Sequence, residues 1–379
     1  MRFLVAPSGF KESLDACAVA DAIAQGIYRV VPGAVVDKVP LVDGGEGSAK
    51  ALAEATEGTL VPVLVTGPTG EPVPSHFALL GGPGPRTAVV EMAAAAGLRL
   101  VPKDHRDPAR TTTYGVGELI RAALDHGVDR ILVGCGDSGT SDGGAGALQA
   151  LGARILDANR EEIERGGAAL ATARSLDLSE MDPRLDKVEI TIACNPHNVL
   201  CGERGVARVF GPQKGATPRQ VEELASALDN WAELLGQDTG TIPGGGASGG
   251  LGAGLYATTN AVLVPRFEVM LEHSDLEARL PHADLVITAE GAIDGQTPHG
   301  KVPAEVARRA KRHGKPVIAL AGTIGADARA NLDVGIDAYT SIIAAPVALD
   351  TAIAKTAELL TDATEGTLRL VLVGAALTR

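Results

Sequence analysis

Short apolar runs alternate with longer stretches of helical period along this chain. Residues 3–6 read as a strand, and residues 14–30 place Leu14, Ala18, Ala22 and Ile23 on one side at helical spacing. Residues 35–41 form a second apolar run that ends at Asp43-Gly44-Gly45-Glu46-Gly47, and residues 48–55 return to helical period. This order of strand, helix, strand and helix predicts a parallel sheet with helices on its faces.

From Leu60 the pattern changes. Residues 60–65 and 73–80 read as two strands around a turn at 66–71, and a Gly/Pro-rich joint follows at 81–85. Further strands are expected at 89–92 and 130–134, and 236–254 is a glycine-rich loop region. Near Asp284 the simpler pattern returns, with strands at 285–288, 317–320 and 339–343 and a helix at 303–312. The expectation is an α/β protein of two domains. A discontinuous Rossmann-like parallel-sheet domain takes residues 1–62 and 283–379, and an inserted α/β domain takes 63–282.

Composition narrows the function classes. The 379 residues are 45% hydrophobic and 21% charged, a balance suited to a globular protein, and aromatics are only 3%, so small aliphatic side chains must fill the cores. A formal charge of -13 makes nucleic acid a poor partner. Four cysteines without a CxxC pair form no disulfide framework, which fits a cytoplasmic location. The opening run is interrupted by Pro7, too early for a signal peptide, and no membrane span is expected because no apolar run approaches about 18 residues.

The candidate chemistry sits in glycine-rich loops at predicted strand ends: residues 8–13, 43–48, 134–146 and 244–254. Open α/β sheets bind ligands beyond the carboxyl ends of their strands, and glycine lets backbone N–H groups approach an anion. Gly134-Cys135-Gly136-Asp137-Ser138-Gly139 matches GxGxxG, with Asp157 near the place of a ribose-binding acid, so an NAD-dependent dehydrogenase is a rival reading. The continuation Thr140-Ser141-Asp142-Gly143-Gly144 is a poor first helical turn, which argues against it. Gly295 to Lys301 fits GxxxxGK, but Val302 stands where the Mg²⁺-binding hydroxyl of a P-loop belongs, and the preceding strand is expected to end too early to feed it.

Several of these loops together resemble the type I glycerate kinases. The similar segments are Ala6-Pro7-Ser8-Gly9-Phe10-Lys11-Glu12-Ser13-Leu14, Pro40 to Gly47, Thr111-Thr112-Thr113-Tyr114-Gly115, Asp142 to Gly146, Phe210 to Ala216, Thr288 to Asp294 and His299-Gly300-Lys301-Val302-Pro303, in family order from residue 1 to roughly 350. The resemblance implies a discontinuous flavodoxin-like domain with an inserted domain and an active site in the cleft between them. It implies transfer of the ATP γ-phosphoryl group to a hydroxyl of D-glycerate, giving 2-phosphoglycerate, with Mg²⁺. Lys11, Asn195, Asp294 and Lys301 are then the candidate catalytic residues. Ser8, Asp43, Glu46, Thr112, Ser138, Asp142, Glu290 and His299 are candidate substrate contacts. Gly44, Gly45, Gly143, Gly144 and Lys214 are candidate nucleotide contacts, and Asp142 and Glu290 candidate metal ligands. Phosphoryl transfer asks for positioned cations and acids more than for a covalent nucleophile, which suits this set. A homodimer is expected.

Some polar positions depart from the family pattern. Ser8 and Asn195 stand where the family usually has Asp, and Ala292 where it has Arg. Asp to Asn removes a charge and a general base, and Arg to Ala removes a bidentate donor for carboxylate or phosphate. An uncharged polyol, cyclitol or sugar-like acceptor is therefore the alternative to D-glycerate. A non-catalytic ligand-binding paralogue is a further alternative, against which the retained Asp43, Glu46, Lys214, Glu290 and Lys301 weigh.

Overall fold

The computed structural model describes residues 1–10, 13–236, 238–271 and 274–377. Its strands, in chain order, are β1 (Arg2–Val5), β2 (Val35–Lys38), β3 (Thr59–Thr66), β4 (Pro72–Leu79), β5 (Thr87–Glu91), β6 (Arg130–Gly134), β7 (Arg154–Leu156), β8 (Ser175–Asp177), β9 (Glu189–Cys194), β10 (Val262–Pro265), β11 (Leu285–Ile293), β12 (Val317–Ile324) and β13 (Ala338–Ser341). They divide between two compact units, Met1–Asp43 with Met270–Arg379, and Gly44–Val269.

The first unit is built on a five-stranded sheet of order β13-β12-β11-β1-β2, with every neighbouring pair parallel. Counted within the unit, this is the 2-1-3-4-5 order of flavodoxin-like sheets, whose winding reverses between β1 and β11. Phe3, Val5, Ile287, Ala289, Ile318 and Leu320 put a continuous apolar layer into the sheet. The helix Ala16–Val30 covers one face; Asp15 caps it by accepting from the Ala18 amide at 2.8 Å, and Val19, Ala20, Ile23 and Ile27 are buried. It lies against the long helix Thr356–Leu377 so closely that a side chain on Gly26 would start 2.5 Å from the Thr361 carbonyl oxygen. The Thr361 hydroxyl donates to the Ala22 carbonyl at 3.0 Å across this contact.

The second unit carries a six-stranded sheet of order β10-β9-β6-β5-β4-β3. The pairs β5–β6, β6–β9 and β9–β10 are parallel, while β3–β4 and β4–β5 are antiparallel. The helix Pro218–Leu235 starts with a capping box between Thr217 and Gln220 and with Pro218 at its first turn, where a missing N–H costs nothing. Its Trp231 is completely buried, the largest side chain in the core.

The structure moves the expected joints. Residue 62 lies inside β3, which pairs with β4 along its whole length, so the first joint falls ahead of the hairpin at Asp43 and Gly44. The second falls at Val269 and Met270 rather than 282. Strand β11 runs five residues past the expected end, to Ile293, because β12 continues beside it through the Ala292–Thr323 and Ile293–Ile324 pairs. Among the described residues, no helix is long and apolar enough to cross a membrane.

The Gly26 contact yields a paired test. Gly26→Val should destabilise the protein by about 2 kcal/mol through overpacking, whereas Gly366→Ala, with nothing within 4 Å of its added carbon, should stabilise the long helix by about 0.5–1 kcal/mol. Urea unfolding of both variants reads the two signs.

Candidate functional site

In the first unit the polar residues gather where the winding of the sheet reverses. Past the end of β1, the Ser8 amide and hydroxyl both donate to the Ala289 carbonyl of β11, at 2.9 and 3.1 Å. The next residue on β11 is Glu290. The Lys301 ammonium lies 3.7 Å from Glu290 Oε1 and 3.4 Å from Asp294 Oδ1, and it donates to the Ala292 carbonyl at 3.2 Å. One cation therefore stands between two carboxylates, all three partly open to solvent. Burial pushes the Asp294 carboxyl up, but the Lys301 charge, the Gln296 amide and the hydrogen bonds from Lys301 and Thr297 outweigh it, leaving Asp294 below its ordinary value.

The stretch from Asp294 to Lys301 is fed directly by β11, contrary to the expectation, yet it is not a phosphate cradle of the P-loop kind. The amides of Gln296 and Thr297 both donate to Asp294 Oδ1, at 2.9 and 3.1 Å, and the Gly295 amide goes to the Ala326 carbonyl at 2.9 Å. Asp294 thus builds an Asx-type turn with its own chain. Lys301 occupies the N-cap of the helix Val302–Arg312, and His299 is exposed at the preceding turn. Lys11 lies outside the described residues, and Asp43 ends the first stretch of this unit.

In the second unit the loops at the carboxyl ends of β5, β6 and β9 carry the remaining candidates. Asp142 is fully buried. Its carboxylate accepts from the Thr113 amide at 2.7 Å, the Thr113 hydroxyl at 2.9 Å, the Thr112 hydroxyl at 3.4 Å and the amides of Gly144 and Gly146 at 3.2 and 3.3 Å. Burial pushes its pKa up against the pull of these donors. With five donors around two oxygens, Asp142 is a strut that locks the 111–114 segment to the start of the helix Ala145–Ala150. Thr112 is buried in the same network.

Gly143 and Gly144 belong to the same packed loop. The Gly143 amide donates to the Gly249 carbonyl at 3.0 Å and the Gly144 amide to Asp142, so neither N–H is open to a phosphate. Both have positive φ, 63° and 80°. A side chain on Gly143 would lie 2.3 Å from the Trp231 ring, whose indole N–H donates to the Gly143 carbonyl at 2.9 Å. These glycines permit close packing of the loop on the core. The GxGxxG match dissolves likewise. The helix begins at Ala145 rather than near Gly139, and Asp157 accepts amides from Asn159 and Glu161 in its own turn.

Lys214 is buried and reaches the same loop, donating to the Ser138 hydroxyl at 2.8 Å and the Thr140 carbonyl at 2.5 Å. Burial pushes its pKa down to about 7, against the attraction of Asp142. The structure thus unites Thr112, Ser138, Asp142 and Lys214, which are scattered over about 100 positions of sequence. Asn195 follows β9 and accepts the His197 amide on its Oδ1 at 3.0 Å, an Asx turn. Gly44 and Gly45 pass within touching distance of Gly136 and Gly134, where any added side chain would meet their backbone at 2.6–2.7 Å. Glu46 pairs with Arg99 at 2.7 Å, and its amide donates to Asp137 Oδ2 at 3.1 Å.

One acid escapes the sequence reading. Glu91, the last residue of β5, is 2% exposed and accepts the Gly47 amide at 3.0 Å and the Ala49 amide at 3.1 Å. Its signal was an acid closing a run of small and β-branched apolar residues, Ala88-Val89-Val90, just where the strand ends.

Two tests separate strut from ligand. Asp142→Asn turns an amide group toward donors and should cost about 2 kcal/mol of stability; lost activity at unchanged stability would instead assign Asp142 a direct chemical role. For Lys214, the unfolded chain keeps its proton up to an ordinary lysine value near 10.5, while the folded protein releases it near 7. Folding stability therefore rises with pH between these limits. Thermal melts from about pH 7 to 9.5 should show this rise in the wild type and a flatter profile in Lys214→Met.

The pattern of the glycerate kinase family matches residues 3–372. The chain is 47% identical over 362 residues to the glycerate kinase of Bacillus subtilis strain 168, covering 94% of each protein. It is 44% identical over 356 residues to the glycerate 2-kinase of Escherichia coli K12, covering 93% of each. A crystal structure from Salmonella typhimurium LT2, provisionally assigned as glycerate kinase 2, is 46% identical, covers 99% of each chain and superposes with a TM-score of 0.79. With a match that runs almost from end to end, this chain belongs to the glycerate kinase family.

Proposed function

We propose that this chain transfers the γ-phosphoryl group of ATP to the 2-hydroxyl of D-glycerate, giving ADP and 2-phosphoglycerate in the cytoplasm. The observation that carries the reading is the Lys301 ammonium between Glu290 and Asp294 at the carboxyl end of β11, in a chain similar along 93–94% of its length to glycerate kinases. The oxygen of the acceptor hydroxyl bonds to the γ-phosphorus as the bond to the ADP oxygen breaks. The hydroxyl proton passes to the Asp294 carboxylate, and Lys301 offsets charge on the transferring group. A depressed Asp294 pKa suits this step, because the loose transition state of phosphoryl transfer asks little basicity of its base.

Mg²⁺ takes one or two carboxylates, with phosphate oxygens and water completing its shell. The half-buried carboxylate of Glu290 fits that demand, and the hydrogen-bonded carboxylate of Asp142 does not. Among the described residues there is no cluster of three or more metal-binding side chains, and a kinase site of this kind does not call for one. When bound, the ion supplies charge neutralisation on the phosphates.

Lys11, Ser8 and His299 are assigned to the same reaction on the strength of their place in the family segments. The turn at Gly44–Gly47 is assigned to phosphate, with Asp43, Glu46 and Ser138 as substrate contacts and Asn195 a further contact beyond β9. Lys214 acts through Ser138, which it holds.

A coupled ADP-release assay with D-glycerate and a panel of polyols and cyclitols tests the reading. D-glycerate should be the preferred acceptor, chelation should abolish turnover and Mg²⁺ restore it, and Lys301→Met should lower kcat by about 100-fold or more. Preference for an uncharged polyol would transfer the assignment to that class and give Ala292 its meaning.

A further inference from the structure

The Gly44–Gly47 turn is held by two carboxylates and two close backbone contacts. Glu91 takes the amides of Gly47 and Ala49, one on each oxygen, at the first turn of the eight-residue helix Ser48–Ala55. Asp137, itself in a left-handed conformation with φ 52°, takes the Glu46 amide. Gly134 and Gly136 close the other side against Gly44 and Gly45. Of the two carboxylates, only Glu91 is buried, and a buried unpaired carboxylate is costly unless its hydrogen bonds matter.

We propose that Glu91 is a positioning residue for the phosphoryl transfer: its ionised carboxylate fixes the Gly44–Gly47 turn in the shape that meets the nucleotide phosphates. The proposal rests on the functional reading above. Two amides cannot both be accepted well by a protonated carboxyl, because one oxygen then carries a hydrogen that faces an N–H. Ionised Glu91 therefore holds the turn firmly and neutral Glu91 holds it loosely.

The surroundings set the pH at which this happens. Burial pushes the Glu91 pKa up to about 7; the Ala49 and Gly47 amides pull it down, and the negative charges of Glu46 and Asp137 push it up further. Among the described residues, no salt bridge reaches it. Lys50 of the neighbouring helix faces Glu54 at 3.8 Å, Arg99 is engaged by Glu46, and His76 of β4 is held low by burial and by Arg99. The firm state is thus populated above neutral pH and lost as pH falls through about 7.

The test compares wild type, Glu91→Gln and Glu91→Ala with ATP, Mg²⁺ and D-glycerate from about pH 5.5 to 8.5. In the wild type, kcat/KM for ATP should rise through neutral pH. In Glu91→Gln, which keeps the shape but cannot ionise, that rise should vanish and kcat/KM at the alkaline end should lie about 5- to 10-fold below wild type, with KM for glycerate unchanged. Amide hydrogen exchange, corrected for intrinsic rates, should be faster across residues 44–52 in Glu91→Gln than in wild type. Glu91→Ala serves as the unfolding control through its melting temperature. An unchanged pH rise together with wild-type kcat/KM in Glu91→Gln would overturn the proposal, as would unchanged exchange in that segment. Should wild type turn over no D-glycerate, the functional reading falls, and exchange alone then decides whether Glu91 holds the turn.

Discussion

The loops of the second unit depend on one buried carboxylate. Asp142 has no exposed surface, and its negative charge is balanced by three side-chain and backbone groups of residues 112–113 and by two glycine amides. Hydrogen bonds to an ionised acceptor are about twice as strong as neutral ones, which is how such a group can be afforded in a core. Because the donors come from two segments about 30 residues apart in sequence, the carboxylate fixes the helix Tyr114–Asp125 against the helix Ala145–Ala150. Lys214 then enters the same loop from a third segment, and Trp231 seats it from a fourth. Remove the carboxylate, and the amides of Gly144 and Gly146 lose their acceptor in a place water does not reach.

The glycines follow from that arrangement. The loop after β6 is interlocked with residues 244–254, where Ser248, Gly249 and Gly250 all have positive φ and a side chain on Gly249 would strike the Thr140 carbonyl at 2.1 Å. Backbone meets backbone here, so the sequence is rich in glycine for reasons of packing. In the Gly44–Gly47 turn, too, amides are engaged: Glu91 accepts those of Gly47 and Ala49, and Asp137 that of Glu46.

How much of this was legible follows from the physics of each signal. Strands β1, β6 and β12 and the helices at 16–30 and 302–312 have strong periodicity and were read within a few residues. The helix Thr356–Leu377 was not read, because Leu370, Val371, Leu372 and Val373 give its last turns an apolar run on all sides rather than a stripe, and these residues remain exposed. The helix Pro218–Leu235 was legible in principle from Thr217-Pro218-Arg219-Gln220, a capping box with proline at the first turn. Its role was not, since nothing local tells that Trp231 reaches Gly143, 88 positions away. Asp142 was visible as an acid between small residues, but an acid that binds a metal and an acid that accepts amides look alike until burial is known. Glu91 was hidden by the apolar strand that carries it.

The two clusters differ in a way that bears on substrate choice. The second unit buries its ionisable groups and makes their charge conditional: Lys214 and Glu91 both titrate near neutrality. The first unit keeps Lys301, Glu290 and Asp294 partly exposed, one ammonium against two carboxyl groups. Such a cluster is net negative, so it cannot by itself attract a triphosphate; it can only order one whose charge a bound cation has already reduced. Ala292 sharpens the point. It lies two residues from Glu290 and from Asp294, on the strand whose carbonyl receives Lys301, and offers a methyl group where an arginine would offer paired donors. A carboxylate-bearing acceptor must then find its donors on backbone amides or on the lysines of other loops.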